Sequence, residues 1–128
     1  MKPYIKIVPN TWLSKDYERG FANGYVVLPK DHPFYGFDYD FITSFLDVHG
    51  CLTYARYEDN GHDGWCVGFD TLHYGDTAEK WPYEAVKEET MRLLNQLIEL
   101  GNKYTREDLL QMIQDEQDLN NFESQSFE

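Results

Sequence analysis

Apolar and polar positions alternate over residues 4–8 (YIKIV), which predicts a short strand ended by Pro9 and Asn10. Residues 24–28 (GYVVL) predict a second strand, closed by Pro29. Two more are expected at 48–57 and 65–70. The stretch between them, EDNGHDG, carries the turn pairs Asn60-Gly61 and Asp63-Gly64, so an antiparallel hairpin over about 48–70 is expected. Residues 29–47 form a long irregular stretch crowded with rings, a loop either functional or packed by its own aromatics.

From residue 83 to 100 the period changes. Val86, Leu93, Leu94, Leu97 and Leu100 follow helical spacing, Pro82 suits a first helical turn, and Gly101 supplies the stop. Thr105 and Asp108 resemble a capping box, with Asp in place of the usual Glu or Gln. They open a second, short helix with Leu109, Met112 and Ile113 on one stripe. Residues 119–128 read as a frayed acidic tail. Strands first and helices after indicate an α+β domain. The expected architecture is a small antiparallel sheet of three to five strands covered by a C-terminal helix. Residues 1–128 form one domain, β-rich over 1–80 and helical over 81–118.

Centring the hairpin on residues 60–61 pairs 57 with 64 and 55 with 66. Leu52, Tyr54, Trp65, Val67 and Phe69 then form a core face beneath the helix at 83–100. His49, Cys51, Thr53, Ala55, Cys66, Gly68 and Asp70 share the other face. Cys51 and Cys66 are not opposite in this register, which disfavours a disulfide between them.

Charge narrows the function. Among 128 residues, 23 acids and 11 bases give a net charge of −12, which argues against direct binding to DNA or RNA. Residues 84–128 hold 11 acids and 4 bases, a denser excess than the 12 acids and 7 bases of residues 1–83. No apolar run approaches the roughly 18 residues a membrane span needs. Residues 1–20 show no apolar core of a secretory signal, and two cysteines without one point to a reducing cytoplasm.

His49, Asp70, His73 and Asp76 are the groups with metal-ligating chemistry. They can instead hold a loop, with His49 and His73 hydrogen-bonded to Asp70 and backbone groups, or line a small-ligand pocket with Thr53; His49 and Asp70 are expected close together, with His73 nearby. A nucleophile at Cys51 beside His49 lacks any accompanying oxyanion-hole element. No catalytic residue, metal or cofactor is assigned. The candidate ligand pocket is therefore His49, Thr53, Asp70, His73 and Asp76.

A candidate partner surface lies in the aromatic loop, where Tyr35, Asp38, Tyr39 and Asp40 could meet a partner's arginines while Phe34, Phe37 and Phe41 plug one end of the sheet. The helical acids Glu84, Glu88, Glu89, Glu99, Glu107, Asp108, Asp115, Glu116 and Asp118 form either a solvated face or a surface for a basic groove. Glu88, Glu99, Glu107 and Asp115 represent that surface.

Four blocks stand out by order and spacing: NGYVVLP at 23–29, HPxYGxDYD at 32–40, VHGxLTY at 48–54 and WxxGFDxxHxGD at 65–76, followed by Tyr83-x-x-Val86-Lys87-x-Glu89. Over roughly residues 20–97 the chain resembles a widespread family of small proteins from phages and prophages. Members usually carry a second Gly where Cys51 stands, and Cys or Ala near Thr71 and Leu72. The resemblance thus implies that Cys51 is no nucleophile. The family has no established activity. What the resemblance implies is context, an accessory protein acting in a bacterial cytoplasm, and by analogy a non-enzymatic inhibitor of a basic host protein. That partner would be a nucleic-acid-binding or defence protein such as a nuclease or CRISPR effector, with a homodimer left open. The alternatives are a sponge for a small signalling nucleotide around His49, Asp70 and His73, and a small metal-dependent hydrolase on the same residues.

Overall fold

The computed structural model describes residues 2–11, 17–58 and 63–126, with side chains described as far as Asn121. Four antiparallel strands, β1 (Tyr4–Pro9), β2 (Ala22–Leu28), β3 (Tyr54–Tyr57) and β4 (Trp65–Phe69), form one open sheet in the order β1-β2-β4-β3. Helix α1 (Tyr39–Thr43) lies within the aromatic loop, and α2 (Tyr83–Lys103) and α3 (Arg106–Ser126) complete an α+β fold. Among the described residues, no helix is long and apolar enough to cross a membrane.

The hairpin register is one residue away from the expected one. Tyr57 pairs with Trp65, Ala55 with Val67 and Tyr54 with Gly68. A one-residue slip moves side chains between faces. Trp65, Val67 and Phe69 do face the core, but they share that face with Ala55 and Tyr57. Tyr54 belongs to the opposite face, with Arg56, Cys66 and Gly68. The expected turn centre, Asn60-Gly61, lies outside the described residues. The strand expected at 48–57 begins only at Tyr54, because Gly50 and Cys51 take left-handed φ angles of 67° and 65°. Leu52 is nonetheless buried, entering the core from the loop before β3.

Helix α2 packs on β2 and β1 through Val86, Thr90, Leu93 and Leu97, all fully buried. Gly24 on β2 makes this close approach feasible, since a Cβ there would overlap the Thr90 hydroxyl and the Phe69 ring. The aromatic loop does plug the sheet with its own rings. Phe34 is fully buried, with Phe41 and Phe45 ring centroids 6.2 and 5.2 Å away, and the Trp65 indole N–H donates to the Phe37 carbonyl at 2.8 Å. The opposite sheet face carries an edge-to-face Tyr25–Tyr54 pair, Arg56 above the Tyr54 ring, and a Lys6–Glu58 ion pair that holds the Lys6 ammonium above its usual pKa.

Gly101 does not stop α2, which continues to Lys103. Its lack of a side chain instead admits the buried His32, whose Nε2 would lie 3.0 Å from a Cβ built there. The His32 Nδ1 accepts from the Phe34 N–H at 3.1 Å and Nε2 lies 2.8 Å from the Leu97 carbonyl, so the ring is neutral with its proton on Nε2. Burial accordingly pushes its pKa down.

The Thr105–Asp108 capping box forms in both directions: the Thr105 N–H donates to Asp108 Oδ2 at 2.8 Å, and the Asp108 N–H to Thr105 Oγ1 at 3.1 Å. The helix it opens is not short, and the tail expected to fray is helical to Ser126. Within the described part of α3 only Leu109 is buried, while Leu110, Met112 and Leu119 are exposed.

Candidate functional site

Two short turns meet beside the N-terminal half of α2. In the first, residues 48–51, the Cys51 N–H donates to the Val48 carbonyl at 3.1 Å, with His49 second and left-handed Gly50 third. In the second, residues 73–76, the Asp76 N–H donates to the His73 carbonyl at 2.9 Å, with Tyr74 second and Gly75 third at φ 90°. Both have the shape that calls for glycine at the third position.

The first turn is tied to α2 from outside. Glu89 accepts the His49 N–H at 2.8 Å and is itself gripped by Arg92 at 2.8 and 3.0 Å. Burial alone would push the Glu89 carboxyl up. The bonds from Arg92 and the His49 N–H outweigh it and hold the carboxyl below its usual range. Gln96 brackets Asp47, accepting its N–H and donating to its carbonyl, both at 2.8 Å.

The turns then interlock through four of the candidate residues. His49 Nε2 lies 2.9 and 3.1 Å from the two oxygens of the buried Asp76 carboxylate, which also accepts the His73 N–H at 2.9 Å. The His49 ring lies against Trp81, centroids 4.2 Å apart. His73 packs directly over Gly50, where any Cβ would overlap its Nε2. That nitrogen is 3.2 Å from Asp70 Oδ1, close enough for electrostatic attraction but not aligned for a hydrogen bond, and it has no hydrogen-bond partner among the described residues. Asp70 also accepts from Thr53 Oγ1 at 3.0 Å and from the Leu72 N–H at 3.1 Å.

All five candidate pocket residues, His49, Thr53, Asp70, His73 and Asp76, are therefore brought together, with the pairing exchanged. The partner of His49 is Asp76, not Asp70; Asp70 meets His73, and the two imidazoles are 5.7 Å apart. The groups are spent on each other two by two. Among the described residues, no three His, Cys, Asp or Glu side chains converge to hold a metal ion. Cys51 is exposed and Cys66 buried, both as free thiols, and burial pushes the Cys66 thiol up to about 12.

The candidate partner residues are more dispersed. Asp38 is spent locally as the cap of α1, accepting the Tyr39 N–H at 2.8 Å, while Tyr39 and Asp40 are exposed. Tyr35 is half-buried against Tyr57 and Trp65, and its carbonyl accepts from Arg106 at the start of α3. Glu88 and Glu99 are exposed on α2, and Glu107 and Asp115 on α3. Asp115 accepts from Gln111 one turn earlier, at 2.9 Å. Of the other helical acids, Glu89 and Asp108 are structural.

A buried polar knot next to the clasp formed by these two interlocked turns had no sequence signal. Asn10 Nδ2 donates to the Gly20 carbonyl at 3.0 Å and to Asn23 Oδ1 at 3.3 Å. Asn23 Oδ1 also accepts the Thr71 N–H at 3.1 Å, and Thr71 Oγ1 donates to the Ala22 carbonyl at 2.6 Å. Isolated Asn and Thr residues beside strand ends look like turn formers in a sequence, and only the closed fold makes them a network that fixes β1, β2 and the start of the clasp. Comparison of the chain with protein-family models, curated proteins and solved structures finds no match.

Proposed function

We propose that the protein is a non-enzymatic binding protein whose acidic helical surface engages a basic partner, in the manner of a phage or mobile-element inhibitor of a nucleic-acid-binding or defence protein. The observation that carries this reading is α3. It is a 21-residue helix with one buried side chain in its described part, and its outer surface combines Glu107, Asp115, Glu116 and Asp118 with exposed Leu110, Met112 and Leu119. A helix that buries so little against its own domain draws little stability from packing. Its mixture of acids and leucines suits a protein groove that is basic and partly apolar. The net charge of −12 favours fast encounter with such a groove.

The block resemblance to small phage and prophage proteins supports the same reading. So does the clasp, because the chemistry-bearing residues of those blocks hold two turns together. A bacterial lysate passed over immobilised protein tests the reading. Basic nucleic-acid-binding proteins should be retained at low salt, released at high salt, and not retained by the variant with Glu88, Glu99, Glu107 and Asp115 all changed to Lys. Equal retention by that variant would overturn it.

A further inference from the structure

The second turn of the clasp has an outer side that the clasp does not use. Tyr74, at its corner, is fully exposed, with a relative accessibility of 108%. The turn beneath it is fixed by the Asp76 N–H bond to the His73 carbonyl, by the Asp76 carboxylate on the His73 N–H, and by Asp70 on the Leu72 N–H. A large aromatic on a rigid turn has little entropy to lose on binding, which is the usual character of an interface anchor. Beside it runs an open groove of about 330 Å³ lined by Tyr17, Glu18, Leu72, His73, Tyr74 and Gly75. Tyr17 is half exposed.

Among the described residues that line this groove there is a carboxylate, Glu18, and no Lys or Arg. Glu18 stands in its wall, and the carboxylates of Asp70 and Asp76 sit behind its floor, bonded to the backbone of Leu72 and His73. Arg19, next to Glu18 in the chain, does not line it. Its guanidinium is committed to the carbonyls of Asn10 and Tyr17, at 2.9 and 2.8 Å. Tyrosine rings attract cations at their faces, and a planar guanidinium both stacks on rings and pairs with a carboxylate.

We propose that the groove between Tyr17 and Tyr74 receives an arginine side chain of the basic partner, held by the two tyrosine rings and Glu18. The inference rests on the reading that the partner is basic, and it adds a contact separate from the acidic helices. Lysine fits less well, because a compact ammonium loses more hydration and cannot stack.

N-acetyl-arginine-amide, titrated into ¹⁵N-labelled protein and followed by amide NMR shifts at pH 8, is the test. Saturating shifts are expected at residues 72–75, with weaker effects from N-acetyl-lysine-amide. Tyr74→Ala and Glu18→Gln should each weaken binding about three- to five-fold. Both replace exposed side chains, so the fold is retained. The four-site Lys variant of the acidic helices should keep the shifts at 72–75. Absence of shifts there, or shifts unaffected by Tyr74→Ala and Glu18→Gln, would overturn the groove. Loss of lysate binding by the Lys variant would then still uphold the acidic-helix reading, which separates the two failures.

Discussion

Replacing Gly50 by alanine perturbs the clasp at its closest contact. Two costs add. The left-handed φ of 67° disfavours any side chain, by about 1–2 kcal/mol. The new Cβ would also overlap His73 Nε2, so the ring must leave its place facing Asp70 or the turn must shift. A displaced, partly buried imidazole and the loosening of the Asp76 bonds add about 1–2 kcal/mol more. The expected loss for Gly50→Ala is therefore about 2–4 kcal/mol.

Gly75→Ala is the internal control. Its φ of 90° carries a comparable conformational cost, but no described residue lies within 4 Å of the added Cβ. It should cost about 1–2 kcal/mol. Urea denaturation of both variants measures the difference. Adding His73→Ala should recover much of the excess in Gly50→Ala and none in Gly75→Ala, as expected for residues in contact. Equal losses for the two glycines, with no recovery, would refute the packing of His73 on Gly50.

Cys51→Gly should stabilise the protein by up to about 1 kcal/mol, read from the same urea curves, because Cys51 also sits at a left-handed φ of 65°, where glycine carries no steric penalty. His32 should titrate below its ordinary value of about 6.5 by NMR, because it is buried neutral between Phe34 and Leu97. Between about pH 6.5 and its lowered folded value the unfolded chain binds the proton and the folded chain does not, so stability should fall as pH falls, with a slope that His32→Gln reduces. Native protein at pH 8 should present one rapidly reacting thiol to a disulfide reagent, Cys51, with Cys66 reacting only on unfolding, since burial pushes its thiol up to about 12.

What the sequence displayed and what it hid divide along physical lines. The α2 stripe of Val86, Leu93 and Leu97 and the Thr105–Asp108 capping box are local patterns, and both were legible. The hairpin register was not, because β4 lies between β2 and β3 and all five of its residues are buried. A strand buried on both faces has no alternation to reveal which side is which. Gly101 looked like a helix stop because its true neighbour, His32, is remote in sequence and enters only with tertiary packing. The cluster residues were legible as a group but not as pairs. Reading 48–57 as strand put Cys51 across from Asp70 and His49 on the same face beside it, whereas a tight turn at Gly50 swings His49 to Asp76. The His-Gly and Tyr-Gly dipeptides at 49–50 and 74–75 were the available signal for two turns in place of extended chain.

Proposed binding of a basic partner by the acidic helices is read from the affinity, at rising ionic strength, of the protein that the immobilised chain retains from lysate. Screening shortens from about 10 Å at 0.1 M salt to about 3 Å at 1 M. Affinity should fall steeply over that range, mainly through a slower association rate. The Glu88, Glu99, Glu107 and Asp115 to Lys variant should fold normally, because exposed charges add little to stability, and should not bind. Full-strength, salt-insensitive binding by that variant would mean that the acidic helices do not carry the interaction.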